Sequence, residues 1–163
     1  MSKAFTREED VSGPEVLRRP VSTLPPGARN YVTADGARRL RAELDHLVST
    51  ERPRAVAAGR ELNALDQRIA QLSESLRTAV VVDPPATPDD RVRFGATVTV
   101  RDRGGEETRY RIVGVDETDV DRGWVSWLSP VAKALLNARS GDRVRLKLPG
   151  GGKELEIIAV VYQ

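Results

Sequence analysis

The chain has 163 residues, of which 39% are hydrophobic and 31% charged, a composition typical of a soluble folded protein with one domain plus an elongated element. Cysteine is absent, which excludes disulfides, thiol catalysis and cysteine-based metal sites and favours a reducing compartment. The 26 basic residues nearly balance 24 acidic ones, so neutralisation of nucleic-acid phosphates is not expected to be the main source of affinity for a partner.

Residues 1–30 are rich in proline and mixed charge and show no sustained apolar periodicity. We interpret this segment as a disordered or loosely docked arm. Its acidic start has no apolar h-region, so no secretory signal is expected. No apolar run along the chain approaches the roughly 20 residues that span a bilayer. The sequence therefore predicts a cytoplasmic protein without a membrane partner.

Residues 31–80 carry the spacing of an antiparallel coiled-coil hairpin. Thr33 is a plausible helix cap, and apolar residues then recur at alternating intervals of three and four, the a/d pattern of a helical seam. These are Ala37, Leu40, Leu44 and Leu47, followed by Leu62, Leu65, Ile69, Leu72 and Leu76. The reversal is expected at Ala57-Ala58-Gly59, and Pro53 is expected to kink or restart the first arm. Two ordinary helices on a globular core are the alternative, but the narrow apolar stripe favours the hairpin.

Residues 81–90 form a proline-rich linker, and beyond it the apolar period drops to two. Strands are predicted from Val92 to Val100, Thr108 to Val113, Trp124 to Leu128, Val144 to Leu148 and Leu155 to Tyr162. A short helix, Val131 to Ala138, is expected to open at Pro130. Residues 91–163 therefore predict an antiparallel sheet covered by one helix, and the fold class of the whole chain is α+β.

Several charged or aromatic clusters have both a functional and a structural interpretation. The acidic run Asp116, Glu117, Asp119 and Asp121 lacks the glycine and terminal Glu of an EF-hand loop, so a solvated loop is expected. Arg143, Arg145 and Lys147 alternate along one strand and are expected on its wet face. Trp124 and Trp127 are predicted on opposite faces of one strand, one in the core and the other an exposed anchor for a partner. His46 is the only histidine, and it has no nearby partners for a triad or a zinc site.

The order of several short blocks resembles the GreA/GreB family of bacterial transcription elongation factors. The blocks are Asn30 to Gly36 with Leu40, Glu43 and Leu44, then Phe94 to Val98, Tyr110 to Gly114, Ser129 to Ala132, Ala134 to Leu136, and Gly141-Asp142. They extend over about 130 residues, the whole chain apart from the N-terminal arm. The resemblance implies an antiparallel coiled coil joined to an FKBP-like C-terminal domain.

The resemblance also implies a partner, bacterial RNA polymerase, and a mode of action. The C-terminal domain would dock on the rim of the polymerase secondary channel, with Ser129 and Pro130 in the docking block and Leu128 where relatives often have a polar or acidic residue. Arg38, Arg39 and Arg41 near the hairpin base are further polymerase-binding candidates. The chain would have no catalytic residue, metal or cofactor of its own, because the magnesium belongs to the polymerase, and no small-molecule substrate. Indirect contact with nascent RNA or DNA is left open.

The expected hairpin tip departs from the family pattern. In the family the tip carries an Asp and a Glu three residues apart, whereas this chain runs through Ala55 to Gly59 directly into the second helix. The first arm, 33–58, reaches at most about 39 Å at 1.5 Å per residue. Glu61 and Asp66 are the tip carboxylate candidates, and Glu61 is expected in the first turn of the second helix.

These features favour a polymerase regulator that does not strongly stimulate cleavage of the transcript. Three alternatives remain open at this stage. The chain could be an active cleavage factor that rescues backtracked polymerase through Glu61 or Asp66. An FKBP-like fold also suggests a peptidyl-prolyl isomerase, against which the low aromatic content argues. Finally, the hairpin could be an interaction module for another protein.

Overall fold

A helical hairpin forms the N-terminal half of the structure, a computed structural model that describes residues 24–87 and 89–163. Helix α1 spans Ala34–His46, α2 spans Arg52–Ala57, and α3 returns over Asn63–Thr78. Leu40 and Leu72 pack together at the base, and Arg52 pairs with Asp66 nearer the turn, so the two arms run antiparallel. Most of the predicted N-terminal arm, residues 1–23, lies outside the described residues.

Proline changes the first arm where the sequence predicts it. The turn Leu47–Glu51 is π-helical, and the backbone N–H of Arg52 donates to the carbonyl of Leu47, five residues back. Pro53 follows in the first turn of α2, and it lacks the N–H that another residue would donate to the preceding turn. The wider π turn moves the chain past the position at which the proline ring would meet the carbonyl four residues earlier.

The reversal between the arms is a Schellman motif closed by glycine. The Arg60 N–H donates to the Ala55 carbonyl at 2.9 Å and the Gly59 N–H to the Val56 carbonyl at 3.1 Å. Gly59 has φ +63°, a left-handed conformation that costs residues with a Cβ about 1–2 kcal/mol. This is the reversal point that the sequence predicts.

A two-stranded parallel sheet joins the hairpin base to the rest of the chain and was not predicted. Strand β1, Asn30–Thr33, runs directly into α1, and β2, Ala79–Val82, directly follows α3. The two strands pair from Asn30 with Ala79 to Thr33 with Val82. Val81 and Val82, assigned to the linker by the sequence, therefore belong to this sheet.

The C-terminal half is a five-stranded sheet. Its strands are β3 Thr97–Asp102, β4 Glu107–Val113, β5 Trp124–Ser126, β6 Arg143–Leu148 and β7 Gly151–Val161, with helix α4, Pro130–Leu135, packed on one face. The strand order is β5-β4-β3-β7-β6. The prediction of a wholly antiparallel sheet is wrong, because β5 pairs with β4 in parallel. The intervening segment, with a 3-10 turn at Val115–Glu117, carries the chain back to the level of Arg111 in β4 before β5 begins.

Two buried clusters stabilise the two halves separately. One contains Val32, Ala37, Leu40 and Leu72 at the hairpin base, and the other fills the space between the five-stranded sheet and α4. Tyr31 of β1 connects them, because its ring lies 5.2 Å from that of Trp127 and 5.9 Å from that of Phe94. Within the described ranges, no helix combines the length and the apolar character needed to cross a membrane.

Candidate functional site

The loop before α4 presents the three docking candidates of the C-terminal half. The Ser129 side chain caps the helix by accepting the Ala132 N–H at 3.2 Å, and Pro130 occupies the first helical position. The Leu128 N–H donates to the hydroxyl of Ser126 at 3.1 Å. Pro130 is exposed while Leu128 and Ser129 are half-buried, so the cap holds a rigid loop with proline outermost.

The hairpin turn places the two candidate carboxylates with different partners. Glu61 is exposed in the turn and accepts a 2.8 Å hydrogen bond from Asn63. It precedes α3, which begins at Asn63, so the prediction that Glu61 lies in the first helical turn is wrong. Asp66 occupies that turn instead, where a carboxylate complements the helix dipole, and it accepts a 2.8 Å hydrogen bond from Arg52 across the hairpin.

The three candidate arginines at the hairpin base have different surroundings. Arg38 is 73% exposed and pairs with Asp35 at 3.1 Å, and Arg41 is exposed. Arg39 also binds Asp35, at 3.0 Å, but its guanidinium lies 3.6 Å from Glu117 in the C-terminal half as well. Hydrogen bonds from Arg39 and then Arg38 lower the pKa of Asp35, so that carboxylate stays ionised at neutral pH. Arg39 is thus the member of the trio that is engaged with the C-terminal half, although 44% of its side chain remains exposed.

The acidic run 116–121 contradicts the expectation of a solvated loop. Glu117 is 4% exposed and accepts hydrogen bonds from the N–H groups of Thr33 at 3.0 Å and Gly114 at 2.9 Å. The Thr33 hydroxyl donates to its other carboxylate oxygen, and the Ser75 hydroxyl donates to Asp116. Asp121 at the end of the run is exposed, whereas Asp116 and Glu117 connect the C-terminal half to the hairpin.

The two tryptophans also depart from the expectation. Trp127 packs on the C-terminal core just after β5, as one of the two was expected to do. Trp124 is half-buried and is no exposed anchor, because three guanidinium groups lie against its ring, at 4.7, 5.0 and 5.2 Å from the centroid. These belong to Arg39, Arg111 and Arg122. Because Arg39 also contacts Glu117, Trp124 belongs to the same contact between the hairpin base and the C-terminal half, which we call the junction.

The junction was missed in the sequence although signals for it existed. Glu117 follows Gly114 by three residues, the spacing of a capping box, and its carboxylate accepts the Gly114 N–H in that way. The second signal was Gly36, because a glycine near the start of a helix indicates the close approach of another group. Arg143, Arg145 and Lys147 lie exposed on β6, as predicted. In the part of the chain that the structure describes, no cluster of three or more His, Cys, Asp or Glu side chains forms a metal site.

Comparisons with known proteins identify the family of this chain. Residues 87–162 match the family model described as transcription elongation factor, GreA/GreB, C-terminal. The chain is 42% identical over 155 positions to transcription elongation factor GreB of Neisseria meningitidis serogroup B, covering 82% of this chain and 94% of the relative. It is 40% identical to GreA of Alkalilimnicola ehrlichii, covering 80% of this chain and 96% of the relative.

Among solved structures, the chain is 28% identical to the prokaryotic transcription elongation factor GreA/GreB from Nitrosomonas europaea, with a TM-score of 0.43 and coverage of 82% of this chain and 100% of the other. Within the aligned region, this chain is shorter than its Neisseria relative. The alignment to the Neisseria protein has 155 positions, but 82% of 163 residues is about 134, so this chain has about 20 fewer residues within it. The chain belongs to the GreA/GreB family of transcription elongation factors.

Proposed function

We propose that this protein binds bacterial RNA polymerase in the cytoplasm, at the secondary channel, and regulates elongation without strongly stimulating transcript cleavage. It acts as a protein partner and not as an enzyme. The observation that carries the proposal is the short hairpin, whose turn presents Glu61 and no second free carboxylate beside it among the described residues. Family membership supports the polymerase as the partner.

The reach of the hairpin supports a position short of the catalytic centre. The first arm, from Ala34 to Ala57, is 24 residues long and extends at most about 36 Å at 1.5 Å per residue. The relatives carry about 20 more residues within the alignment. Shared equally between two arms, that difference would extend a hairpin by about 15 Å. A hairpin shorter by this amount, docked in the same way, leaves its turn outside the metal site.

The chemistry at the turn supports the same proposal. Magnesium at a phosphoryl-transfer site is held by one or two carboxylates together with phosphates, and it requires near-ideal octahedral geometry. Asp66 is engaged by Arg52 on the flank of the hairpin. Glu61 would then have to contribute alone, and a single exposed carboxylate is a weak addition to a magnesium site.

The body of the protein supports docking in the family manner. We propose that the hairpin is the family's antiparallel coiled coil and that the C-terminal half is its FKBP-like domain. The capped loop from Leu128 to Pro130 contacts the channel rim, and Arg38 and Arg41 contact acidic surface nearby. Nascent RNA or DNA is reached only indirectly, through the polymerase, and any magnesium involved belongs to the polymerase.

Cleavage of nascent RNA in a purified, backtracked elongation complex tests the proposal. Binding is measured first by co-migration with core polymerase, and cleavage is then followed at saturating protein. We expect binding without acceleration, and competition with a cleavage-active relative for the channel. Clear acceleration that is lost in Glu61→Ala or Asp66→Ala would instead establish an active cleavage factor. Absence of binding would refute the polymerase as partner, and Asp121→Ala, on the exposed acidic loop, serves as the surface control.

A further inference from the structure

A single buried carboxylate, that of Glu117, connects the two halves of the protein. Its side chain is 1% exposed, and its two oxygens accept from both the backbone N–H and the hydroxyl of Thr33. Thr33 is the cap residue of α1, whose own hydroxyl accepts the Gly36 N–H at 2.9 Å. The orientation of the first hairpin arm is therefore fixed from the C-terminal half.

The other contacts of this carboxylate lie in or beside the C-terminal half. The Gly114 N–H donates to it at 2.9 Å, directly after β4, and Arg39 lies 3.6 Å away. Arg39 in turn lies 4.7 Å from the Trp124 ring centroid. Hydrogen bonds that a buried carboxylate accepts are among the stronger ones in proteins.

The surrounding backbone is shaped to admit the carboxylate. A Cβ added at Gly36 would lie 1.8 Å from a Glu117 oxygen, and one at Gly114 would lie 2.9 Å from the other and 2.2 Å from the Tyr31 carbonyl. A second tie lies beside this one, because the Ser75 hydroxyl of α3 donates to Asp116. The 3-10 turn therefore holds both arms of the hairpin at their base.

We propose that Glu117 is a positioning residue that fixes the angle between the hairpin and the C-terminal half. A small rotation at the hairpin base produces a large displacement of the hairpin turn. A change of about 10° at the base moves a turn about 36 Å away by about 6 Å. Resting on the proposed function, this means that Glu117 sets where the turn at Gly59 lies when the loop at Ser129 is docked.

Distance measurement on the free protein tests the angle directly. The chain has no cysteine, so spin labels can be attached at Arg54→Cys on the hairpin and Arg103→Cys on the sheet, which are 71% and 79% exposed. Pulsed electron paramagnetic resonance is then compared between the labelled parent, Glu117→Gln and Glu117→Ala. Asp121→Asn, a charge removal at an exposed position in the same loop, is the control.

We expect a narrow distance distribution in the parent and in the control. Glu117→Gln places an amide NH₂ against backbone N–H donors, which should disturb the angle at the base. The spin-label distance distribution of this variant should therefore broaden or shift by about 4 Å or more, as expected for a rotation of about 10°. Ser75→Ala removes the second tie and a 3.4 Å hydrogen bond from Asn30 but leaves Glu117 in place, so it gives a smaller change and serves if a Glu117 variant does not fold. Unchanged distributions in folded Glu117→Ala would overturn the proposal.

Polymerase assays separate this inference from the proposed function. Glu117→Gln should bind core polymerase within about twofold of the parent, because the loop at Ser129 is untouched, but lose most of its ability to compete inside the channel. If the parent itself does not bind polymerase, the proposed function fails while the distance result still decides the role of Glu117. Equal competition by the parent and by a variant with a changed distance distribution would refute the link between angle and function.

Discussion

Replacing Gly36 with alanine should destabilise the protein strongly, although the same change stabilises most helices. The added Cβ would lie 1.8 Å from Oε1 and 2.2 Å from Cδ of Glu117. That carboxylate cannot move at a low cost in free energy, because it accepts three hydrogen bonds from Thr33 and Gly114. The substitution therefore forces a choice between moving α1 and expelling the carboxylate from its site.

The magnitude follows from the bonds that would be lost. Leaving a buried donor unsatisfied costs about 1–3 kcal/mol, and Glu117 satisfies two backbone N–H groups and one hydroxyl. Alanine recovers about 0.5–1 kcal/mol of helix propensity relative to glycine. Allowing for partial relaxation and entry of water, we expect the free energy of unfolding to fall by about 2–4 kcal/mol in Gly36→Ala.

A double-mutant cycle measured by urea denaturation isolates the cause. In a Glu117→Ala background the obstructing carboxylate is gone, so Gly36→Ala should become neutral or stabilising by up to about 1 kcal/mol. The two substitutions should thus be coupled by more than about 2 kcal/mol. An equal effect of Gly36→Ala in both backgrounds would show that the carboxylate is not what requires glycine at this position.

Two further predictions concern the hairpin base and the sheet. Leu72→Ala removes a side chain that is 1% exposed against Leu40, and should lower the free energy of unfolding by about 2–4 kcal/mol in urea titrations followed by circular dichroism, whereas a loss under 1 kcal/mol would contradict that packing. Asp102 has a pKa below its usual 3.8, mainly because Lys153 hydrogen-bonds to it at 3.1 Å, so Lys153→Gln should raise that pKa in an NMR titration. A lowered carboxyl pKa stabilises the fold above about pH 4 and loses this effect as the pH falls through the folded value, so parent and variant should converge in stability under acid. An unchanged Asp102 titration would contradict the pairing.

Local chemistry made much of the fold predictable. Thr33 and Ser129 are caps because their hydroxyls can accept backbone N–H groups that a helix start leaves free. Gly59 closes the reversal because it tolerates a positive φ. Each of these assignments depends on residues within one turn of each other, which a single sequence displays directly.

Contacts between distant segments were not predictable in the same way. Glu117 meets Thr33 across 84 residues, and its capping-box spacing after Gly114 indicates a local bond but not this distant partner. The parallel pairing of β1 with β2 was missed for the same reason, since it brings together a four-residue segment before the hairpin and another one after it. Among the candidate site residues, Arg39 differs most from its predicted role as a polymerase contact, because its guanidinium lies against Trp124 and Glu117 in the folded protein.

The π-helical turn at Leu47–Glu51 shifts the phase of the outer hairpin. Continuing the intervals of three and four from Leu47 would place Arg54 in the seam, yet Arg54 is 71% exposed and Ala55 is 8% exposed. The turn absorbs one extra residue, and one residue of helix corresponds to about 100° of rotation. The outer third of the first arm thus presents to solvent a different set of side chains from those that a continuous heptad count assigns.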